Sequence, residues 1–247
     1  MFAKRNVSIL ISKSVRPAPL KPYGCEIRDR GVFSCATRES SEISSRYRQS
    51  VEPDGLEFDV DSLEGRAIKE DADYSGVRLT FRVFLQNARA PMQIDVGFGD
   101  VVVPEAAMTD YPTILQLDAP RLRAYPRETV VAEKFEAIVK LGQLNSRMKD
   151  FFDLWLLSRQ FEFDGATLAT SVTRTFENRQ TDITDQPVVL TPLFANDSVK
   201  QTQWRGFLRK SRLDMAPPDL SDVIDEISKF LQPLTKALFA GQVFAGT

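Results

Sequence analysis

The sequence predicts an α/β (α+β) protein in which a strand-rich half precedes a helical half. Three observations carry this. Val77-Arg-Leu-Thr-Phe-Arg-Val-Phe84 alternates strictly, with Val77, Leu79, Phe81 and Val83 on one side and Arg78, Thr80 and Arg82 on the other. A second strand-like segment, Met92-Gln-Ile-Asp-Val-Gly-Phe-Gly-Asp100, follows after a short connection. From Val131 the period changes: Val131, Phe135, Ile138 and Leu141 recur at i, i+4, i+7 and i+10, a helix with one buried stripe.

The elements follow in chain order. Up to Cys25 there are Lys4, Arg5, Lys13, Arg16 and Lys21 but no acid, and Pro17, Pro19 and Pro22 break any periodicity. Residues 1–46 therefore form an atypical segment, expected to be poorly structured or foreign to the domain. Residues 47–125 are expected to form a sheet region and 126–247 a helical domain. Leu56-Glu-Phe-Asp-Val60 alternates, and Leu63 to Glu70 suits a short strand. Leu85 to Pro91 reads as a loop joining two strands, which so short a connection should pair antiparallel. After the helix that ends near Gly142, Asn145 or Ser146 can cap the next one, with Met148, Phe152, Trp155 and Leu156 inward. Helices are expected at Asp164–Glu177 and Ser198–Lys210, with a loop at Asp182–Pro192. A last helix spans Ser221–Phe239, where Pro233 should kink or interrupt it.

Composition excludes several functions. The chain has no histidine, so a Ser-His-Asp triad, a Cys-His pair and a His-ligated zinc are impossible. Catalysis must rest on carboxylates, Lys, Arg, Tyr, Ser or Thr, and a metal would sit among oxygens, which points to magnesium or manganese. A net charge of −2 provides no global field for duplex nucleic acid. No apolar run suits a membrane span, and the two cysteines, Cys25 and Cys35, lack zinc or disulfide-framework spacing. A reducing cytoplasm is the expected location.

Three segments carry chemistry. In the acidic strand Asp95 lies between apolar neighbours, and a carboxylate there needs a cation or hydrogen bonds. It is either a metal or base carboxylate, or a strand acid paired with Arg78 or Arg82. Lys134 borders the apolar stripe of its helix, where it either meets a phosphate as a point charge or covers apolar surface with its stem. Arg147, Asp150 and Asp153 form one stripe at i, i+3 and i+6, and Lys149 is placed to pair with Asp153 at i, i+4. An arginine held by carboxylates can present its fork to phosphate.

Gln93-Ile-Asp-Val-Gly-Phe-Gly-Asp100, Tyr125-Pro-Arg-Glu-Thr-Val-Val-Ala-Glu-Lys134 and Ser146-Arg-Met-Lys-Asp-Phe-Phe-Asp-Leu154, in this order and spacing, resemble the AbiEii/AbiGii nucleotidyltransferase-like toxins. These belong to type IV toxin–antitoxin and abortive-infection systems of bacteria. The resemblance runs from about Val51 to Leu238 and implies a DNA-polymerase-β-like nucleotidyltransferase sheet, partly truncated, followed by a helical C-terminal domain. It implies a nucleoside triphosphate and Mg2+, a tRNA or other RNA acceptor, and a cognate antitoxin. By position, Lys134 looks like the lysine on the triphosphate, with Arg147 and Lys149 beside it. Asp150 or Asp153 looks like the essential acid of the last motif, and Asp95 like the third carboxylate of the sheet, a metal ligand or general base.

One part of the family pattern is not found. Relatives begin with a glycine-rich turn leading to an Asp-x-Asp strand that holds the metal. None of Gly24, Gly31, Gly55, Gly65 and Gly76 precedes such a motif, and Asp59-Val-Asp61 lies downstream of its place. Three readings stay open: an enzyme in which Asp59 and Asp61 substitute, a truncated or degenerate member that keeps the fold, and a non-enzymatic interaction module.

Overall fold

The computed structural model describes residues 25–28, 32–35, 55–69, 75–113 and 118–244. The chain divides into two compact units, Met1–Asp100 and Val101–Thr247.

The first unit is an antiparallel meander in the order β1-β2-β3-β4-β5. Its strands are β1 (Cys25–Arg28), β2 (Val32–Cys35), β3 (Leu56–Lys69), β4 (Ser75–Leu85) and β5 (Ala88–Phe98). β1 and β2 fall in the stretch expected to be atypical, and the register sets Cys25 opposite Cys35. The rest of residues 1–46 lies outside the described residues.

The two short strands expected at 56–60 and 63–70 are one strand, β3, with an irregularity between Asp59 and Glu64. Ser62 stitches it: its hydroxyl accepts the Arg82 N–H at 2.8 Å and donates to the Asp59 carbonyl at 2.6 Å. A bulge of this kind bends a strand without ending its ladder. The expected loop at 85–91 is instead a two-residue turn at Gln86 and Asn87, because Ala88 already pairs with Leu85. β5 can include Pro91 because it is the edge strand of this sheet, where a missing N–H need not cost a ladder bond. The antiparallel β4–β5 pairing matches the expectation. Val77/Val96, Leu79/Ile94 and Phe81/Met92 are opposite on one face, and Arg78/Asp95 and Thr80/Gln93 on the other.

The second unit starts with a hairpin, β6 (Ala107–Asp110) and β7 (Arg121–Ala124), which the sequence does not announce. All four residues of β6 and most of β7 are exposed, so no apolar alternation betrays it. Helices follow: α1 (Arg127–Leu141), α2 (Met148–Gln160), α3 (Gly165–Asn178), the single-turn α4 (Pro192–Ala195), α5 (Ser198–Ser211) and α6 (Leu220–Phe239). The α1 stripe buries Val131, Phe135 and Ile138 completely, but Leu141 is exposed because the helix stops there. Gly142 supplies the stop at φ 50°, its N–H turning back to the carbonyls of Ile138 and Val139.

On α2, Met148, Phe152 and Trp155 are buried as expected and Leu156 half-buried, and Phe151 and Leu154 join them. Asp164 caps α3, its carboxylate accepting the Thr167 N–H at 2.8 Å, and Asp197 caps α5. The 182–192 loop contains one 3-10 turn, Val188–Leu190. Pro233 does not interrupt α6, since Ile227, Leu231 and Leu234 are fully buried on the apolar side of that helix.

Candidate functional site

The charged cluster of the second unit grows from the way α1 and α2 pack. The buried stripe of α1 includes Val131 and Phe135, so Lys134 emerges at its border. On α2 the first turn places Asp150 against the same helix, 4% exposed, beside the fully buried Phe151. Lys134 Nζ donates to Asp150 Oδ1 at 3.0 Å and reaches Asp153 Oδ2 at 2.5 Å. Lys149 Nζ shares that Asp153 oxygen. Arg147 Nε stands 2.7 Å from Asp150 Oδ2, an ion pair by distance but not aligned as a hydrogen bond, so this buried oxygen has no donor.

Burial alone would push the Lys134 ammonium to a lower pKa, but Asp150 and Asp153 outweigh it and leave the group raised above its usual range. Lys134 is thus a cation throughout the neutral range. Three cations face two carboxylates, which leaves one net positive charge. Lys134 is largely enclosed, whereas Arg147 and Lys149 are more than half exposed. They line a cleft of about 480 Å³ between the start of α2 and α5, with Lys210 and Gln203 on its other side. Another cleft, of about 510 Å³, lies against Trp155, Arg159 and Glu226 and includes none of the charged residues to which the sequence assigns chemistry.

Asp95 belongs to the first unit, where both of its oxygens are engaged. Arg78 clasps it through Nε and Nη2 at 2.7 and 2.9 Å, and Gln93 Nε2 donates to both oxygens at 3.3 and 3.1 Å. The hydrogen bond from Arg78 holds its pKa below the usual carboxylate value, and partial burial opposes this. Of the two arginines the sequence offers as partners, Arg78 takes Asp95, and Arg82 pairs with Asp59 at 2.8 Å. Asp61 is exposed on β3.

A divalent cation does not fit these groups as arranged. Among the described residues no three His, Cys, Asp or Glu side chains converge. The orphaned Asp150 Oδ2 would be the natural ligand, but Lys134 and Arg147 already flank that carboxylate and would repel a second cation. The cluster suits an anion bearing several oxygens, which can align Arg147 and meet Lys149. Lys200, Gln203 and Lys210, which frame the start of α2, carry no signal in the sequence, each being a single polar residue without a motif, and Asn145 carries only a helix-cap signal.

Comparison with known proteins agrees with the sequence motifs. The family model for the nucleotidyl transferase AbiEii toxin, type IV TA system, matches residues 36–226, about three quarters of the chain. No curated protein matches. Two solved structures are similar. One is a Helicobacter pylori protein described as a nucleotidyltransferase, 15% identical, with 81% of this chain and 74% of that one covered and a TM-score of 0.37. The other is JHP933 from Helicobacter pylori, 16% identical, with 85% and 75% covered and a TM-score of 0.38. At such TM-scores the likeness carries no argument about chemistry.

Proposed function

We propose that this chain, which belongs to the AbiEii nucleotidyl transferase toxin family of type IV toxin–antitoxin systems, binds the triphosphate of a nucleoside triphosphate at Lys134, Arg147 and Lys149 and transfers the nucleotide to an RNA hydroxyl, the α–β phosphoanhydride breaking and pyrophosphate leaving. The observation that carries this reading is the meeting of Lys134 on α1 with Asp150 and Asp153 on α2. Residues that lie in two separate family motifs, 16 and 19 positions apart, converge on one ammonium. Its charge is fixed by two carboxylates, and Arg147 and Lys149 extend the positive surface into an open cleft of nucleotide-compatible size. The work available to these groups is positioning: they hold phosphate oxygens by charge-assisted hydrogen bonds and orient the reacting phosphorus. Magnesium would enter with the triphosphate rather than on these carboxylates, and tRNA is the acceptor we propose first.

A second reading has its own support. Asp95, the family's candidate base, is closed off by a bidentate arginine and an amide. A chain built this way serves as a nucleotide-binding or antitoxin-binding module without transfer.

One experiment separates the two. The protein is titrated with a labelled nucleoside triphosphate and then incubated with it, magnesium and total tRNA. Saturable binding that Lys134→Ala weakens about tenfold or more, the loss of one charge-assisted contact, is expected. Label should pass to RNA in the wild type and not in Lys134→Ala. Binding without transfer establishes the nucleotide-binding module, and absence of saturable binding removes both readings that use a nucleotide and leaves the antitoxin-binding module alone.

A further inference from the structure

Lys200 is the buried charge that the proposed triphosphate site leaves unexplained. It lies in the first turn of α5, where Asp197 accepts its backbone N–H at 3.0 Å, and it is 6% exposed. Among the described residues no carboxylate pairs with it. Its ammonium donates to the Asn145 carbonyl at 2.8 Å and lies 5.2 Å from the centre of the Phe194 ring. Enclosing an ammonium is expensive, and a carbonyl with a ring face compensates only partly, so an apolar side chain would fill this space at lower cost. The charge calls for a reason other than packing.

Asn145 supplies it. It is fully buried, and each of its polar groups is used. Its N–H donates to the Gly142 carbonyl at 3.1 Å, and Nδ2 reaches the Ile138 carbonyl at 3.4 Å, at the end of α1. Oδ1 accepts the Arg147 N–H at 2.7 Å, one residue before α2. The remaining group, the carbonyl, takes Lys200. The elbow between α1 and α2 is therefore tied at both ends to one side chain, which α5 pins from a third direction. α1 carries Lys134, and α2 carries Asp150 and Asp153.

We infer that Lys200 is a positioning residue: through Asn145 it fixes the α1–α2 elbow and thereby sets Lys134 against Asp150 and Asp153. The relevance to nucleotide binding rests on the function proposed above, whereas the geometric claim about the elbow does not.

The test uses the full chain with Lys200→Met, which keeps the stem and deletes the charge and donor, and Lys200→Arg, which keeps both. Lysines are trace-acetylated across a pH series, and modification is quantified residue by residue by mass spectrometry well below the melting temperature. A Lys134 that drifts from its carboxylates while staying enclosed loses the influence that keeps it protonated. In Lys200→Met its titration midpoint should fall by about half a unit or more, which raises the reactive fraction about threefold at a pH below that midpoint. Lys229, exposed and paired with Glu226, should not change. Lys200→Arg should restore the wild-type Lys134 profile.

A lowered melting temperature with an unchanged Lys134 profile reduces Lys200 to a packing role and overturns the inference. Equal defects in the Met and Arg variants also overturn it. If Lys200→Met does not fold, Lys200→Gln, too short to reach Asn145, must show the same shift. A parallel titration with a nucleoside triphosphate and magnesium should be weakened about tenfold in Lys200→Met. If the wild type binds no triphosphate, the proposed function fails while the Lys134 profile still decides the positioning role.

Discussion

The Arg78–Asp95 pair on the sheet and the Lys134–Asp150–Asp153 cluster between two helices use the same kinds of residue to different ends. On the sheet a planar guanidinium meets one carboxylate edge to edge, and an amide completes it, so the hydrogen-bonding capacity of the acid is spent within the pair. Between the helices three cations share two carboxylates, one buried carboxylate oxygen lacks a donor, and a cleft opens beside it. A satisfied pair resists further ligands, and an incompletely satisfied cluster invites them. The surroundings differ in the same direction. Among the described residues of the first unit only Val83 is a buried hydrophobic, whereas the second unit is built on a continuous core from Val131 to Leu234. Such a core fixes the backbone of the two helices that hold the cluster.

Breaking that core should have the largest effect. Phe151 is fully buried and stacks on Phe194 at 5.6 Å, and replacing it with Ala should destabilise the second unit by about 3–5 kcal/mol. Phe58 in the sheet is 56% exposed, and its replacement should cost about 1 kcal/mol or less. Both tryptophans of the chain, Trp155 and Trp204, lie in the second unit. Denaturant unfolding followed by fluorescence therefore reads that unit, and hydrogen exchange in β4 and β5 reads the other. Comparable losses from the two substitutions would contradict the contrast.

The cluster itself comes next. Asp150→Ala leaves Lys134 with Asp153 alone and Arg147 with no acid, and should cost about 1–3 kcal/mol. Its pH dependence has a definite sign. The folded Lys134 pKa lies above the value of about 10.5 it has when unpaired, so its contribution is fully present below that pH and is lost as pH rises through the folded value. Wild-type stability, followed by melting temperature from pH 9 upward, should fall towards that of Lys134→Met only in this alkaline window.

The sheet pair should show the smallest and opposite effect. Asp95→Asn should cost about 1 kcal/mol or less, as befits a pair in which Arg78 is 40% exposed. The folded Asp95 pKa is depressed, so its contribution is complete above about pH 4 and disappears as pH falls through the folded value. The melting-temperature gap between wild type and Asp95→Asn should hold from pH 5 to 8 and close in acid. A gap that does not narrow as the pH falls would show that Arg78 is not the cause.

The sequence by itself determined that a strand-rich half precedes a helical half, the β4–β5 pairing, the α1 stripe and the identity of the charged residues. Each of these is written in a local period: two for Val77 to Phe84, near 3.6 for Val131 to Ile138. Even the family was readable, because its motifs are short runs whose spacing survives in the chain. What only the tertiary structure decided was pairing. Nothing local says that Asp95 takes Arg78 while Arg82 takes Asp59, because that choice depends on cross-strand register and on the irregularity at Ser62. Nor does anything local bring Lys134 to two acids, or Lys200 to the Asn145 carbonyl 55 residues away. A buried charge is placed by whatever else is buried with it, and those neighbours are distant in sequence.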